Sequence, residues 1–320
     1  MKRKPEFIDR SKVRTVPAAE RESLVSVSKE ARPHRPGSSF RAFLDGLPDL
    51  LGAADLRAAT GAWARAVREE RTVVVAMGAH LIKVGLSPIL VDLMERGAIH
   101  AIAMNGAGCV HDLELAQLGK TSEDVAASLD AGTFGMAKET AERLNEAIAR
   151  GAEAGIGMGE AVGRDLLEAG GPFVSRSILA TAARLEIPAT VHVAIGTDIH
   201  HMHPSADGAA LGATSYRDFE TLTGMVATLE GGFYANIGSA VILPEVFLKA
   251  LALARNLGHT VERFTTLDID FKRQYRPAQN VVERPTRLGG RGIALTGQHE
   301  ILLPLLAAGV IESLEKEAAT

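Results

Sequence analysis

Residues 72–88 read Thr72-Val-Val-Val-Ala-Met77-Gly78-Ala-His80-Leu-Ile-Lys83-Val-Gly85-Leu-Ser-Pro88. The β-branched run before Gly78 is the pattern of a strand covered on both faces, because it leaves no polar residue for a solvated side. Gly78 and Gly85 break the run, and from Pro88 to Glu95 the spacing of Leu90, Leu93 and Met94 places three apolar side chains on one helical face. Strand, glycine turn and helix in that order form the opening of a βαβ unit. The same alternation continues outward from it. Further strands are expected at His100–Met104, Ala189–Ile195, Phe233–Ile237, Thr265–Ile269 and Gly292–Thr296. Helices are expected at Ala137–Arg150, Arg176–Leu185, Tyr216–Leu229, Pro244–Asn256 and Glu300–Leu314. The pattern predicts an α/β fold: a Rossmann-like, doubly wound, mostly parallel sheet with helices on both faces. No internal repeat is visible.

Length and composition agree with one main domain. The 320 residues are 46% hydrophobic, enough to bury a large core. Residues 1–41 carry eleven Lys or Arg against five Asp or Glu, which leaves the remainder at −10. With Pro33, Pro36 and Gly37 at its end, this segment reads as a basic N-terminal arm preceding a single domain at 42–320. It is either a solvated tail or an arm that docks on an acidic neighbouring subunit. The net charge of −4 argues against general nucleic-acid binding. No apolar run approaches the ~20 residues of a membrane span, and the start of the chain lacks the apolar core of a secretory signal. Together with the single Cys109, read as a small buried hydrophobe, this points to a cytoplasmic protein.

Chemistry-bearing residues gather where strands are expected to end. Asn105-Gly-Ala-Gly-Cys-Val-His-Asp112 follows the second strand, and Gly196-Thr-Asp-Ile-His-His-Met-His-Pro204 follows the third. Glycines in such turns let a backbone approach a ligand, and the helix starts behind them aim amide donors at an anion. Neither turn is the usual GxGxxG fingerprint. Lys83 reads either as a phosphate contact or as a snorkelling surface lysine, and Asp112 reads either as a ligand contact or as a helix cap. Four of the ten histidines lie between His192 and His203. Histidine titrates near neutrality, so the cluster offers acid, base or metal ligand.

Gly78-Ala-His-Leu-Ile-Lys-Val-Gly85, Asn105 to Asp112, Thr197-Asp198, Asn236-Ile-Gly-Ser-Ala240 and Gly297-Gln-His-Glu-Ile-Leu-Leu-Pro-Leu-Leu306 occur in the order and spacing of the deoxyhypusine synthase family. Over residues 70–312 the chain resembles that family. The resemblance implies a Rossmann-like homotetramer that uses NAD to move an aminoalkyl group from spermidine or a similar polyamine onto an amine. It assigns Gly78, His80, Lys83, Asn105, Gly106, Ala107, Asp112, Gly238 and Ser239 to the cofactor, and Asp198 to the donor amine. His111 stands where the family carries an acidic residue and joins Asp198, His200 and His203 as a candidate catalytic residue. The family's catalytic lysine has no counterpart, since no lysine lies between Lys272 and Lys316, and Arg284, Arg287 and Arg291 populate that region. Arginine stays protonated and cannot form an imine. A small amine would then attack directly, with His200 or His203 accepting the proton and Asp198 holding the ammonium. Two other readings stay open. Asp198, His200 and His203, with His111 and Asp112, are ligand types for a metal-dependent hydrolase; alternatively, the chain binds a nucleotide without catalysis.

Overall fold

The computed structural model describes Pro5 and residues 7–315. Its centre is a single six-stranded sheet: β1 (Val73–Met77), β2 (Ala101–Asn105), β3 (Ala189–His192), β4 (Phe233–Ile237), β5 (Thr265–Asp270) and β6 (Arg291–Thr296). All pairings are parallel and the order is β3-β2-β1-β4-β5-β6. This is the doubly wound arrangement. Winding proceeds from β1 toward β3, then returns to the other side of β1 at β4, so the crevice above β1 and β4 is the topological switch point.

Helices complete the layers. Short α1 (Phe40–Gly46) and long α2 (Leu51–Arg68) precede the sheet; α3 (His80–Lys83) and α4 (Ser87–Glu95) link β1 to β2. Between β2 and β3 lie α5 (Gly106–Leu118), α6 (Val125–Asp130), α7 (Lys138–Ala154), α8 (Met158–Ala169) and α9 (Ile178–Arg184). After β3 come α10 (Gly208–Ala227), then α11 (Ile242–Asn256) behind β4, the single turn α12 (Tyr275–Pro277) with a π-helical stretch over 278–283, and finally α13 (His299–Glu315).

Alternation along β1 explains why both faces are covered. Val73, Val75 and Met77 pack with α2, α4, α5 and α13 on one side, whereas Val74 and Ala76 pack with α10 and α11 on the other. All five residues are fully buried, and burying a valine side chain contributes about 1.5–3 kcal/mol. Trp63 of α2 lies against Phe233, with ring centroids 5.2 Å apart, and donates its indole N–H to the Ala98 carbonyl at 2.8 Å.

Two expectations need correction. β3 ends at His192 rather than Ile195, because the Val193 amide goes to the Ser215 hydroxyl instead of to β2, Ile195 is 68% exposed, and Gly196 has a φ of +95°. The helix expected from Tyr216 begins at Gly208, where the Asp207 carboxylate accepts from the Ala209 and Ala210 amides. Of the arm, residues 1–4 and 6 lie outside the described residues. From Phe7 to Ser28 it is exposed throughout, and its end is pinned to the body by the Arg32 amide on the Gly46 carbonyl and the Asp49 amide on the Lys29 carbonyl. No helix among the described residues is long and apolar enough to cross a membrane.

Candidate functional site

Two adjoining features occupy the carboxyl ends of the strands. The first is the switch-point crevice. Gly78 follows β1 and Gly238 follows β4, and their backbones touch: a Cβ on Gly78 would lie 2.1 Å from the Gly238 carbonyl oxygen. Gly238 itself has a φ of +67°, in the left-handed region that favours glycine. Asn236 holds the turn by donating to the Ser239 carbonyl at 3.0 Å and to Asp268 at 2.8 Å. The Ser239 hydroxyl accepts from the Leu243 amide at 3.2 Å, so this glycine turn runs directly into the start of α11. Beside it the exposed His80 ring meets the His299 ring at 5.4 Å.

The second feature is a cavity of about 290 Å³ over β2 and β3. Lys83, Ala107, His111, Glu114, Glu123 and Asp198 line it, together with Val110, Val125, Phe134 and Ile199. Three carboxylates face one ammonium there, which suits a cationic guest. Its size lies at the small end of ligand sites, which run about 300–1,000 Å³. A larger hollow of about 850 Å³ lies between residues 31–38 and α1, away from the strand ends.

Asp198 dominates the cavity. It sits over the start of α5, close enough that a Cβ on Gly106 would lie 2.0 Å from its Oδ2, so only glycine fits beneath it. Oδ2 is buried and has no hydrogen-bond partner among the described residues. Burial pushes the carboxyl up to about 6, and the Ala107 amide and Thr197 hydroxyl offset this only in part. Such a group exchanges its proton near neutrality, and its Oδ2 has no cationic or donor partner among the described residues.

The histidine that faces it is His201, not one of the two expected. His201 Nδ1 accepts from the Gly196 amide at 3.1 Å and the Asp198 amide at 3.4 Å. Its proton therefore sits on Nε2, which lies 4.0 Å from Asp198 Oδ2. His200 is fully buried, lies tilted against the His201 ring with centroids 4.3 Å apart, and has no partner for either ring nitrogen among the described residues. Burial, helped by His201, depresses it to about 3, so it stays neutral. His203 Nδ1 is shared with the Ser205 hydroxyl at 2.8 Å, outside the cavity wall. Neither His200 nor His203, the two expected bases, lines the cavity. The 3₁₀ turn over Ile199–Met202, held by Asn145 of α7 on the His200 carbonyl, rotates His201 toward Asp198 and the other two away. Neither does the set Asp198, His200 and His203 assemble as metal ligands: among the described residues no three His, Cys, Asp or Glu side chains are placed to hold an ion.

Of the two readings of Asp112, the structure shows a helix cap, on α9 rather than on the helix that follows it. It is 1% exposed and accepts from the Ser177 hydroxyl and from the Ile178 and Leu179 amides, at 2.6, 2.8 and 3.0 Å. Both oxygens are engaged in capping α9, a helix distant in sequence, which makes Asp112 part of the scaffold. The Asn105 side chain caps α5 by accepting from the Gly108 amide at 3.2 Å. Arg291 opens β6 at the amino end of the sheet, opposite the cavity, and Arg284 donates to Asn280. Cys109 is fully buried, and burial pushes its thiol up, so it packs as a small hydrophobe.

No family model and no curated protein matches the chain. Among solved structures it is similar to apo ArgZ, an arginine dihydrolase from the ornithine–ammonia cycle in cyanobacteria, at 15% identity and a TM-score of 0.51 over 83% of this chain. It is also similar to the ternary complex of AgrE with ornithine and NAD+, at 16% identity and a TM-score of 0.50 over 81% of this chain. The match spans about a third of those proteins, 34% and 33% of their lengths. A looser likeness, with a TM-score of 0.47 and 10% identity, covers 88% of this chain and 96% of a protein from Entamoeba histolytica provisionally assigned as a deoxyhypusine synthase. At these identities the likeness concerns the fold alone.

Proposed function

We propose that this chain is an NAD-dependent transferase that takes a small polyamine-like donor in the Asp198 cavity and moves its aminoalkyl group to an amine acceptor. The observation that carries the reading is Asp198 Oδ2: a buried carboxylate oxygen without a donor, in an acid-lined cavity beside the switch point. A substrate ammonium supplies the missing donor. The residues of the crevice fit a dinucleotide, because two glycine turns flank it and the start of the 15-residue α11 lies behind the second. Gly78, Gly238 and Ser239 would hold the pyrophosphate, with His80 at the rim and Lys83 between crevice and cavity. AgrE, a fold neighbour, has been captured with NAD+ and ornithine, one ligand of each class.

When bound, NAD supplies the acceptor for a hydride leaving the amine-bearing carbon, and the donor of that hydride when it returns to the new C=N bond. The substrate nitrogen gives up its proton to a base, the acceptor amine adds to the C=N carbon, and the donor's remaining amine departs with a proton. Asp198 orients the cation, and His201 Nε2–H, fixed as a donor by two backbone amides, favours the ionised carboxylate. Phe134, Val125 and Ile199 limit water in the cavity. The basic arm offers a surface for a second subunit, and a homo-oligomer belongs to this proposal.

Native mass spectrometry of the purified chain with added NAD, followed by aminoalkyl exchange between pairs of isotopically distinct polyamines, tests the reading. Stoichiometric NAD and label exchange support it. An absence of NAD binding at millimolar cofactor removes it.

A further inference from the structure

The imidazole that lines the cavity, His111, is held by a chain of groups that leads out of it. His111 lies on the second turn of α5 and Glu114 one turn later, on the same face. Thr121, just beyond the helix, stands between them: its Oγ1 is 2.6 Å from His111 Nδ1 and donates to Glu114 Oε2. The second Glu114 oxygen accepts from the Thr140 hydroxyl of α7 at 3.1 Å. A hydroxyl has one proton. Since Thr121 gives its proton to the carboxylate, what it offers the ring is a lone pair, and the ring nitrogen facing it must carry the hydrogen.

We infer that Glu114 and Thr121 are positioning residues that keep the His111 proton on Nδ1 and leave Nε2 bare, as the proton acceptor of the cavity. The inference rests on the reading that an amine occupies the cavity. In the reaction Nε2 takes the proton lost by the substrate nitrogen and, as imidazolium, returns it to the departing amine, so the ring ends as it began. The Nδ1–H···Oγ–H···carboxylate chain supports the positive ring in between. Charged groups around the ring are Glu114 on its own helix, Lys83 from α3, Asp198 from the loop after β3 and Glu123 from the loop before α6. Burial holds His111 below its ordinary 6.5; Glu114 offsets part of this and Lys83 adds to it. The ring is therefore neutral, and able to accept, at physiological pH.

Long-range nitrogen–proton NMR of protein labelled with ¹⁵N-histidine, with the signals assigned by His111→Gln, reads the tautomer without any substrate. The native protein is expected to show Nδ1–H at His111. Thr121→Ser keeps it, Thr121→Val releases it to a mixture, and Glu114→Gln, whose amide donates to Thr121, turns it toward Nε2–H. An Nε2–H tautomer in the native protein, or one indifferent to all three changes, overturns the relay. In turnover assays Thr121→Val lowers kcat about 10–100-fold, leaves KM within about twofold and moves the acidic limb of the pH profile. If the tautomer responds as stated but no amine is turned over, the relay stands and the transferase reading fails.

Discussion

Replacing Asp198 by asparagine should stabilise the protein in a manner that depends on pH. The folded carboxyl titrates at about 6 against an ordinary 3.8, with burial as the cause. A raised carboxyl means that the folded state holds its proton more tightly than the unfolded one, so stability is lost as pH rises from the unfolded toward the folded value. The two values imply a cost of roughly 1 kcal/mol at pH 4.5 and about 3 kcal/mol at pH 8. An asparagine side chain there has no charge to desolvate and escapes this cost. The difference in unfolding free energy, Asp198→Asn minus native, should therefore grow by about 2 kcal/mol between pH 4.5 and pH 8. Any constant offset from placing an amide beside His201 Nε2–H cancels in that comparison. Urea titrations followed by the fluorescence of the single tryptophan, the fully buried Trp63, give the two curves. A difference that is flat with pH, or that shrinks as pH rises, refutes the assignment of a desolvated carboxylate at 198. The same variant should lose turnover while retaining NAD.

Gly78→Ala drives a methyl into the Gly238 carbonyl; it should cost about 1–3 kcal/mol in denaturant unfolding and weaken NAD at least about tenfold by calorimetry, since the crevice must open. Asp112→Ala strips three donors at the head of α9 and should destabilise by about 2–4 kcal/mol, with NAD affinity unchanged in protein that remains folded. His203→Ala, outside the cavity wall, should leave turnover within about twofold; a loss like that expected for His111→Gln would return His203 to the site. Diamine affinity measured by calorimetry should rise as pH climbs through about 6 and Asp198 ionises, and a pH-independent affinity would count against the Asp198 contact.

The sheet was legible because parallel strands buried on both faces are largely apolar: Val73 to Met77 is wholly so, and Phe233 to Ile237 breaks the run only at Asn236. Helices α2, α5 and α8 were not. α5 is enclosed on several sides, with Cys109, Val110, Leu113 and Ala116 buried, and so lacks the polar stripe that makes a surface helix readable. That omission hid Glu114, whose spacing of three from His111 becomes meaningful only on a helix. Thr121 carries no signal of its own, since its position depends on how the chain leaves α5. In the loop after β3, Asp198 was readable from its motif, but the choice among three neighbouring histidines depends on the hand and pitch of one 3₁₀ turn, which pattern does not encode.

The connection from β2 to β3 contains five helices where a simple crossover needs one. Its portion between α5 and α7 supplies Glu123, Val125 and Phe134 to the cavity, while the crevice at Gly78 and Gly238 is built from strands on its other side. Recognition of the guest and anchoring of the cofactor thus reside in separate stretches of chain. Evolution, or a protein engineer, can rewrite residues 122–137 to admit a longer or differently charged amine while leaving Thr121 and the nucleotide half as they stand, in the way a lock accepts a new cylinder without a new door.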